Sequence, residues 1–214
     1  MNCNKKSLLL YAVTDRSWLK EETLYQQVEQ ALKGGATLIQ LREKNLGQEQ
    51  FLAEAIKLKK LCAEYQVPFI INDNVNIAIE VNADGIHVGQ RDMEAGDVRD
   101  KLGADKILGV SAQTVEQAVL AEQCGADYLG VGAVFPTNTK GDADEVTYEM
   151  LKEICQAVKI PVIAIGGIVL DNMKKLEGSG ICGVAVVSAI FAREDIVNET
   201  KKLKEVATET FAAR

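Results

Sequence analysis

Gly125-Ala-Asp-Tyr-Leu-Gly-Val-Gly132 is one of four segments of the chain that align with one another without gaps. The other three are Gly35-Ala-Thr-Leu-Ile-Gln-Leu-Arg42, Asn82-Ala-Asp-Gly-Ile-His-Val-Gly89 and Gly180-Ile-Cys-Gly-Val-Ala-Val-Val187. Each begins with Gly or Asn, which suit the left-handed residue that ends a helix, and continues as a short apolar run. The repeat therefore predicts, four times, a helix that ends directly before a strand.

Further apolar runs lie between the repeats and bring the predicted strands to eight. They are Leu8–Val13, Thr37–Leu41, Phe69–Ile71, Gly85–Val88, Ile107–Val110, Tyr128–Val131, Val162–Ile165 and Val184–Val187. The segments between them have apolar residues at helical spacing, as in 49–65 and 148–158. Strands that are apolar throughout are typical of a parallel sheet covered on both faces.

Eight strand-helix units in 214 residues give about 27 residues per unit, which favours an α/β fold, a compact (β/α)₈ TIM barrel with parallel strands. An open doubly wound sheet is the alternative, but no G-x-G-x-x-G follows the first strand. The chain contains no linker or low-complexity tract, so we expect a single catalytic domain over residues 1–214.

Composition excludes several classes of protein. With 24 Lys and Arg against 31 Asp and Glu, the net charge of −7 argues against nucleic-acid binding, although a small phosphate site depends only on local charge. The five cysteines are odd in number and widely spaced, without C-x-x-C. This pattern argues against a disulfide framework or a zinc site and favours buried thiols in a reducing compartment.

Two apolar stretches are candidates for membrane or export segments. The longest uncharged stretch, Gly178–Ala192, is too short and too rich in Gly and Ser to span a bilayer. Lys5-Lys6 and the following apolar run resemble a secretory signal, but the run stops at Thr14-Asp15-Arg16 without a small-residue cleavage site. We therefore expect a buried first strand, no membrane partner and a cytoplasmic protein.

Polar residues follow most of the predicted strands, at the end of a barrel where active sites form. Three groups could bind phosphate. Gly166-Gly167 with Ser188 lets backbone N–H groups approach an anion, or makes a tight packed turn. The loop Thr137-Asn138-Thr139-Lys140 offers hydroxyls, an amide and a cation, or is a solvated turn. Arg42 with Lys44 is a cationic pair, or surface charge beside a helix.

Asp73 and Asp92 follow neighbouring strands and could bind Mg²⁺ together with a diphosphate. The alternatives are a helix N-cap for Asp73 and a solvated loop for Asp92. The only imidazole, His87, lies within a strand, where we expect packing or hydrogen bonding. Because no Ser-His-Asp or Cys-His pair can be assembled, the sequence indicates chemistry driven by stabilisation of a leaving group.

These residues belong to eight ordered motifs that resemble thiamin phosphate synthase along essentially the whole chain. The motifs are Tyr11–Asp15, Ile39–Lys44, Phe69–Asp73, Asp84–Gln90 with Asp92, Leu108–Ser111, Gly132–Lys140, Ile165–Ile168 and Val187–Ile190. The resemblance implies a TIM barrel that joins hydroxymethylpyrimidine diphosphate to hydroxyethylthiazole phosphate, or its carboxylated form, with release of diphosphate. It also implies a dissociative substitution assisted by one Mg²⁺ per subunit.

The resemblance also implies a role for particular residues. Lys140 and Ser111 are the catalytic candidates, and Asp73 and Asp92 are the Mg²⁺ ligands. The pyrimidine diphosphate would be held by Gln40, Leu41, Arg42, Glu43, Lys44, Asn72, Ser111 and Lys140. The thiazole phosphate would be held by Thr137, Asn138, Thr139, Gly167, Val187 and Ser188. The expected partners are these two substrates, and the sequence leaves open whether the chain forms a homo-oligomer.

Two positions depart from the family pattern. Many members carry His two residues after the equivalent of Ser111, where this chain has Gln113, and a small or acidic residue where this chain has Arg91. A paralogous thiazole tautomerase, which relies on that His, is therefore the weaker alternative. A non-catalytic protein that binds thiamin precursors is the other alternative, but no DNA-binding or partner-recruiting appendage is visible.

Overall fold

The computed structural model describes residues 3–19, 21–89, 97–137 and 145–211. Within these ranges eight parallel strands pair in chain order, and the first pairs with the last to close a barrel. They are β1 (Leu10–Val13), β2 (Leu38–Leu41), β3 (Phe69–Asn72), β4 (Gly85–Val88), β5 (Ile107–Ala112), β6 (Tyr128–Val131), β7 (Val162–Ile165) and β8 (Gly183–Val186). The predicted (β/α)₈ barrel is confirmed, and the open sheet is excluded.

Helices connect the strands around the outside of this barrel. The described residues form α1 (Leu24–Gly34), α2 (Gln48–Glu64), α3 (Val75–Glu80), α4 (Asp97–Leu102), α5 (Val115–Gln123), α6 (Tyr148–Ala157), α7 (Leu170–Met173), α8 (Ser188–Phe191) and α9 (Ile196–Phe211). Short 3-10 helices cover Lys5–Leu8, Arg16–Trp18 and Lys174–Leu176. At Gly34 an added Cβ would lie 2.4 Å from Thr200 Cβ, so α9 packs closely on α1.

The first residue of every repeat adopts the left-handed conformation predicted for the end of a helix. The φ angles are 99° at Gly35, 52° at Asn82, 86° at Gly125 and 99° at Gly180. Gly tolerates this region without strain, and Asn tolerates it better than most residues. Gly35, Asn82 and Gly125 lie within two positions of the ends of α1, α3 and α5 and turn the chain toward the next strand. The last helical residue before Gly180 is Leu176, so the prediction that a helix ends directly at the fourth repeat is wrong.

Two apolar layers account for strands that are apolar on both faces. Tyr11 and Val13 point into the barrel, whereas their neighbours Leu10 and Ala12 pack against the helices. All four residues of β1 are buried, so this run is the buried first strand that the sequence predicts. No helix among the described residues is long and apolar enough to cross a membrane.

The five cysteines all lie in the described ranges and are free thiols, as predicted. Burial is less complete than predicted, because only Cys62 is fully buried and Cys124 is exposed. Burial still raises the pKa of Cys3, Cys62 and Cys155 to about 12 and that of Cys182 to about 11.

Candidate active site

A hydrogen-bonded series of five side chains crosses the barrel interior, and it joins residues of the carboxyl halves of β2, β4 and β5 through two tyrosines in the amino halves of β1 and β6. Gln40 Nε2 donates to the Tyr11 hydroxyl at 2.6 Å, and the Tyr11 and Tyr128 hydroxyl oxygens are 3.0 Å apart. Tyr128 OH lies 2.9 Å from His87 Nδ1, and His87 Nε2 lies 3.0 Å from Ser111 Oγ. We call these five residues the interior relay. His87 is hydrogen-bonded within its strand, as the sequence predicts.

Two glycines make room for the large rings of the relay. An added Cβ at Gly109, on β5, would lie 2.1 Å from Tyr128 Cζ, and one at Gly130, on β6, would lie 3.1 Å from His87 Cε1. The first distance leaves no room for a side chain at Gly109, whereas a Cβ at Gly130 would be in tight contact with the imidazole, which would have to move by a few tenths of an ångström. Sequence reasoning missed Tyr11 and Tyr128 as site residues, although a hydroxyl-bearing ring inside an otherwise apolar strand is a usable signal.

The segment after β2 is held against the loop after β1 by charged contacts. Arg42 N donates to Thr14 Oγ1 at 3.0 Å, and Arg42 Nη1 lies 3.5 Å from Asp15 Oδ2. Arg16 Nε lies 2.7 Å from Glu43 Oε1. A cleft of about 220 Å³ opens here, lined by Asp15, Arg16, Ser17, Arg42, Glu43, Lys44, Asn45 and Leu46.

The predicted pyrimidine-diphosphate residues of this segment differ in accessibility. Lys44 is exposed, and the Arg42 side chain is 14% exposed. The Glu43 side chain is only 3% exposed and is paired with Arg16, while burial raises the pKa of its carboxyl. Leu41 packs in the outer layer, away from the barrel interior. Gln40 is 4% exposed and contacts Tyr11 in the barrel interior, so Arg42 and Lys44 are the accessible cations, and Glu43 instead fixes the loop after β1.

Asp73, after β3, adopts an unusual backbone conformation with φ of 61°. Its N–H donates to His87 O at 2.9 Å, and Asn72 Nδ2 donates to its Oδ2 at 2.6 Å. The N-cap of α3 is Asn74, whose Oδ1 accepts from Ile77 N at 3.0 Å. The alternative that Asp73 caps the helix is therefore wrong. Its exposed carboxylate, held by Asn72, is the hard oxygen donor that suits Mg²⁺.

The loops after β6 and β7 pack directly on each other. Gly166 and Gly167 have φ of 100° and 63°, and added Cβ atoms would lie 2.5 Å from Ala133 Cβ and 2.4 Å from Pro136 O. Asn172, which sequence reasoning missed, donates from Nδ2 to Gly167 O at 2.8 Å and accepts at Oδ1 from Val169 N at 2.9 Å. The packed turn that the sequence left as an alternative is thus present, and it fixes the backbone at Gly167.

The remaining predicted residues divide between described and undescribed parts of the chain. Thr137 is half-buried directly after Pro136, and Val187 packs against the inner layer just before Ser188 begins α8. Asp92, Asn138, Thr139 and Lys140 lie outside the described residues, as does Arg91. Gln113 Nε2 donates to Gly132 O at 3.3 Å, so its amide is engaged with the start of the β6 loop.

Comparison with known proteins identifies the family of this chain. The family model described as thiamine monophosphate synthase matches residues 10–190. The chain is 52% identical to thiamine-phosphate synthase of Clostridium tetani over 194 residues, which cover 91% of this chain and 93% of that protein. It is 49% identical to the Clostridium acetobutylicum protein of the same name over 197 residues, covering 92% and 93%.

A solved structure named thiamine phosphate pyrophosphorylase, from Pyrococcus furiosus, superimposes with a TM-score of 0.88 at 39% identity, covering 96% of this chain and 98% of that one. Agreement in fold therefore accompanies agreement in sequence over nearly the full length. On these grounds the chain belongs to the thiamine monophosphate synthase family and is a transferase of thiamine biosynthesis.

Proposed function

We propose that this chain joins hydroxymethylpyrimidine diphosphate to hydroxyethylthiazole phosphate, giving thiamin phosphate and diphosphate, or to the carboxylated form of the thiazole, with CO₂ as a third product. The observation that supports this most is the convergence of Gln40, Asn72 and Ser111 at the carboxyl ends of β2, β3 and β5. Their amide and hydroxyl groups lie where a TIM barrel binds its substrate. The whole of residues 1–214 would serve as one catalytic domain.

Two sets of residues would bind the two substrates. Gln40, Asn72 and Ser111 would contact the pyrimidine diphosphate from the barrel interior, with Arg42, Lys44 and Lys140 supplying positive charge. The thiazole phosphate would bind at Thr137, Asn138, Thr139, Gly167, Val187 and Ser188. The packing of Gly167 against Pro136 O supports this second set, because it brings the loops after β6 and β7 together.

The donor set fits a hard divalent cation. Asp73, together with Asp92, would hold Mg²⁺, and the bound ion would neutralise negative charge on the diphosphate. The backbone contact from Asp73 N–H to His87 O and the side-chain contact from Asn72 fix the direction of the Asp73 carboxylate. Such orientation matters because the supporting contacts of a ligand tune metal affinity.

The reaction would proceed by loss of the leaving group before attack. The bond between the pyrimidine methylene carbon and a diphosphate oxygen breaks, and diphosphate leaves with the electron pair. The thiazole nitrogen then forms the new C–N bond with its own lone pair. Lys140 and the Ser111 hydroxyl would stabilise the charge that grows on the leaving group.

This scheme needs no general base, because the attacking nitrogen carries no proton. The interior of the barrel is suited to that chemistry. Burial raises the pKa values of Tyr11 and Tyr128 well above their usual range, so both phenols stay protonated and serve as hydrogen-bonding groups rather than as bases. The engaged amide at Gln113 likewise lacks the basicity of an imidazole, which favours a synthase over a thiazole tautomerase.

The test is incubation of the protein with both substrates and Mg²⁺, with thiamin phosphate measured by chromatography. We expect thiamin phosphate to form only when both substrates are present. A parallel reaction with the thiazole substrate alone detects tautomerisation. Tautomerised thiazole without thiamin phosphate would favour the tautomerase, and binding of both substrates without any turnover would favour a non-catalytic protein.

A further inference from the structure

We propose that Tyr11, Tyr128 and His87 are positioning residues that couple Gln40 to Ser111, so that the hydrogen-bonding group presented by one is set by the other. Naming the ligand as the pyrimidine diphosphate rests on the proposed function. The coupling itself rests on the four contacts of the interior relay, between 2.6 and 3.0 Å.

Each of these four contacts needs one proton, and this requirement links them. A phenol that stays protonated has a single O–H to donate, and a neutral imidazole has one N–H and one lone pair. If Tyr11 donates to Tyr128, then Tyr128 donates to His87 Nδ1 and the imidazole proton lies on Nε2, facing Ser111. If Tyr128 instead donates to Tyr11, then Tyr11 donates to Gln40 and the imidazole proton lies on Nδ1, facing Tyr128. Ser111 then donates to His87 Nε2.

The relay therefore has two arrangements with a neutral imidazole, which differ at both ends. In the first, the amide nitrogen of Gln40 donates to Tyr11, and Ser111 accepts from His87, so that the Ser111 proton is directed away from the imidazole. In the second, Gln40 turns its carbonyl oxygen to Tyr11, and Ser111 donates to His87 and presents lone pairs. The Gln40 amide nitrogen faces the Tyr11 hydroxyl, which selects the first arrangement.

The first arrangement suits an anionic leaving group, because a hydroxyl that donates stabilises negative charge and one that presents lone pairs opposes it. The surroundings of the relay exclude water and leave room for its rings. Tyr11 and Tyr128 are 1% and 0% exposed, so water does not compete for their hydroxyls. The space left by Gly109 and Gly130 admits the two rings that join the ends.

His87 is the only histidine of the chain, so its tautomer can be observed without assignment. Protein labelled with ¹⁵N-histidine is measured by NMR, without substrates, well above the usual histidine pKa of about 6.5. We expect a pyrrole-type signal from Nε2 and a pyridine-type signal from Nδ1. A protonated Nδ1 in the parent protein would overturn the assigned arrangement.

Gln40→Glu tests the coupling from the far end of the relay. An ionised carboxylate only accepts, so at a pH high enough to ionise the introduced carboxyl Tyr11 must donate to it and the relay must reverse, which places a proton on His87 Nδ1. Gln27→Glu is the matched control, because Gln27 is also buried but lies on α1, outside the relay. An Nδ1 that stays pyridine-type in Gln40→Glu, as in the control, would refute the coupling.

Tyr11→Phe tests whether the coupling passes through the relay. This change leaves Gln40, His87 and Ser111 in place and removes one hydroxyl. In the Tyr11→Phe background, Gln40→Glu should no longer move the proton to Nδ1. A proton shift that persists in the double variant would show that Gln40 acts through the field of its charge, and would contradict the relay.

Kinetics give an independent readout of the same positioning role. Tyr11→Phe should lower kcat/KM for the pyrimidine diphosphate by about tenfold and leave KM for the thiazole phosphate within about twofold. Tyr148→Phe also removes one hydroxyl hydrogen bond, to Glu177 O, and should change neither. Equal losses for both substrates in Tyr11→Phe would indicate a general structural defect and oppose the proposal.

The two levels of proposal can fail separately. If the parent protein forms no thiamin phosphate but Gln40→Glu still moves the proton to Nδ1, the relay stands and the proposed function fails. If thiamin phosphate forms and the proton does not move, the relay fails and the proposed function stands.

Discussion

The two ends of the barrel each carry a polar opening, and the larger one is at the end without the predicted catalytic residues. The cavity at the amino end has about 310 Å³ and is lined by Lys6, Ser7, Leu32, Gly35, Ala36, Thr37, Tyr65, Gln66, Val67, Pro68 and Lys204. The cleft after β1 and β2, at the carboxyl end, has about 220 Å³. Volume alone therefore does not identify the site.

The difference lies in what the polar groups contact. At the amino end, Thr37 Oγ1 accepts from Leu10 N at 2.9 Å and lies 2.9 Å from Ser7 O, so its hydroxyl stabilises the backbone at the start of β1 and β2. At the carboxyl end, Asn72 orients Asp73, and His87 orients Ser111. Polar side chains stabilise the backbone where strands begin at one end, and they orient one another where strands end at the other.

The largest expected effect comes from removing Lys140, and removing Lys204 from the amino-end cavity serves as the control. Lys140→Ala should lower both kcat and kcat/KM by about 100- to 1000-fold if Lys140 stabilises the leaving diphosphate. Lys204→Ala, in the amino-end cavity, should leave both unchanged. Single-turnover rates separate chemistry from product release. A normal single-turnover rate at saturating substrate would reduce Lys140 to a binding residue.

The carboxylate at the carboxyl end should govern the response to Mg²⁺. Asp73→Asn keeps a residue that tolerates φ near 61° but removes the charge, so the Mg²⁺ concentration for half-maximal rate should rise by about 10- to 100-fold. Asp171→Asn, on α7, provides a matched control on a helix. An unchanged Mg²⁺ titration, or full activity of the parent protein in excess chelator, would remove the metal assignment.

The space that Gly109 leaves for the Tyr128 ring should affect the free energy of unfolding. Gly109→Ala places a Cβ about 2.1 Å from Tyr128 Cζ, and overpacking of this kind lowers the free energy of unfolding by about 1–3 kcal/mol. Gly47→Ala, which has no atom within 4 Å of the added Cβ, is the control and should cost far less. Urea unfolding measures both. Equal midpoints for the two variants would show that Tyr128 moves freely.

The smallest effect is expected from the thiols. Cys62 and Cys182 lie near the end of α2 and directly before β8, toward the amino end of the barrel, and burial raises their pKa values to about 12 and about 11. Their thiolate fraction stays low until the pH approaches those values, so at neutral pH only the exposed Cys124 should be alkylated readily. Activity should remain within about twofold, measured after mass spectrometry of the modified protein. Rapid inactivation that substrate prevents, without unfolding, would place a thiol in the site.

Features with a local cause could be predicted from the sequence. The left-handed turns at Gly35, Asn82 and Gly125 follow from the residue type just after the end of each helix. The strand exits follow in turn, because all parallel strands end on the same face. His87 was expected to be packed or hydrogen-bonded because a lone imidazole within an apolar strand is seldom a base.

Features that depend on contacts between distant residues could not be predicted in the same way. Tyr11 and Tyr128 are 117 positions apart, and only closure of the barrel brings their hydroxyls to 3.0 Å. Glu43 was assigned to the ligand from its place in a motif, but its pairing with Arg16 depends on how the loop after β1 folds back. Asn172 acts on the backbone of Gly167, a contact that no motif in the sequence indicates.

The central claim is that the carboxyl end of this barrel replaces diphosphate by a thiazole nitrogen. The most direct test measures thiamin phosphate and diphosphate together during one turnover, with enzyme in excess over the pyrimidine substrate. With both substrates present we expect the two products in equal amounts, and we expect Lys140→Ala to slow the formation of both to the same extent. Diphosphate released without thiamin phosphate while the thiazole phosphate is present, or neither product from the parent protein, would contradict the account.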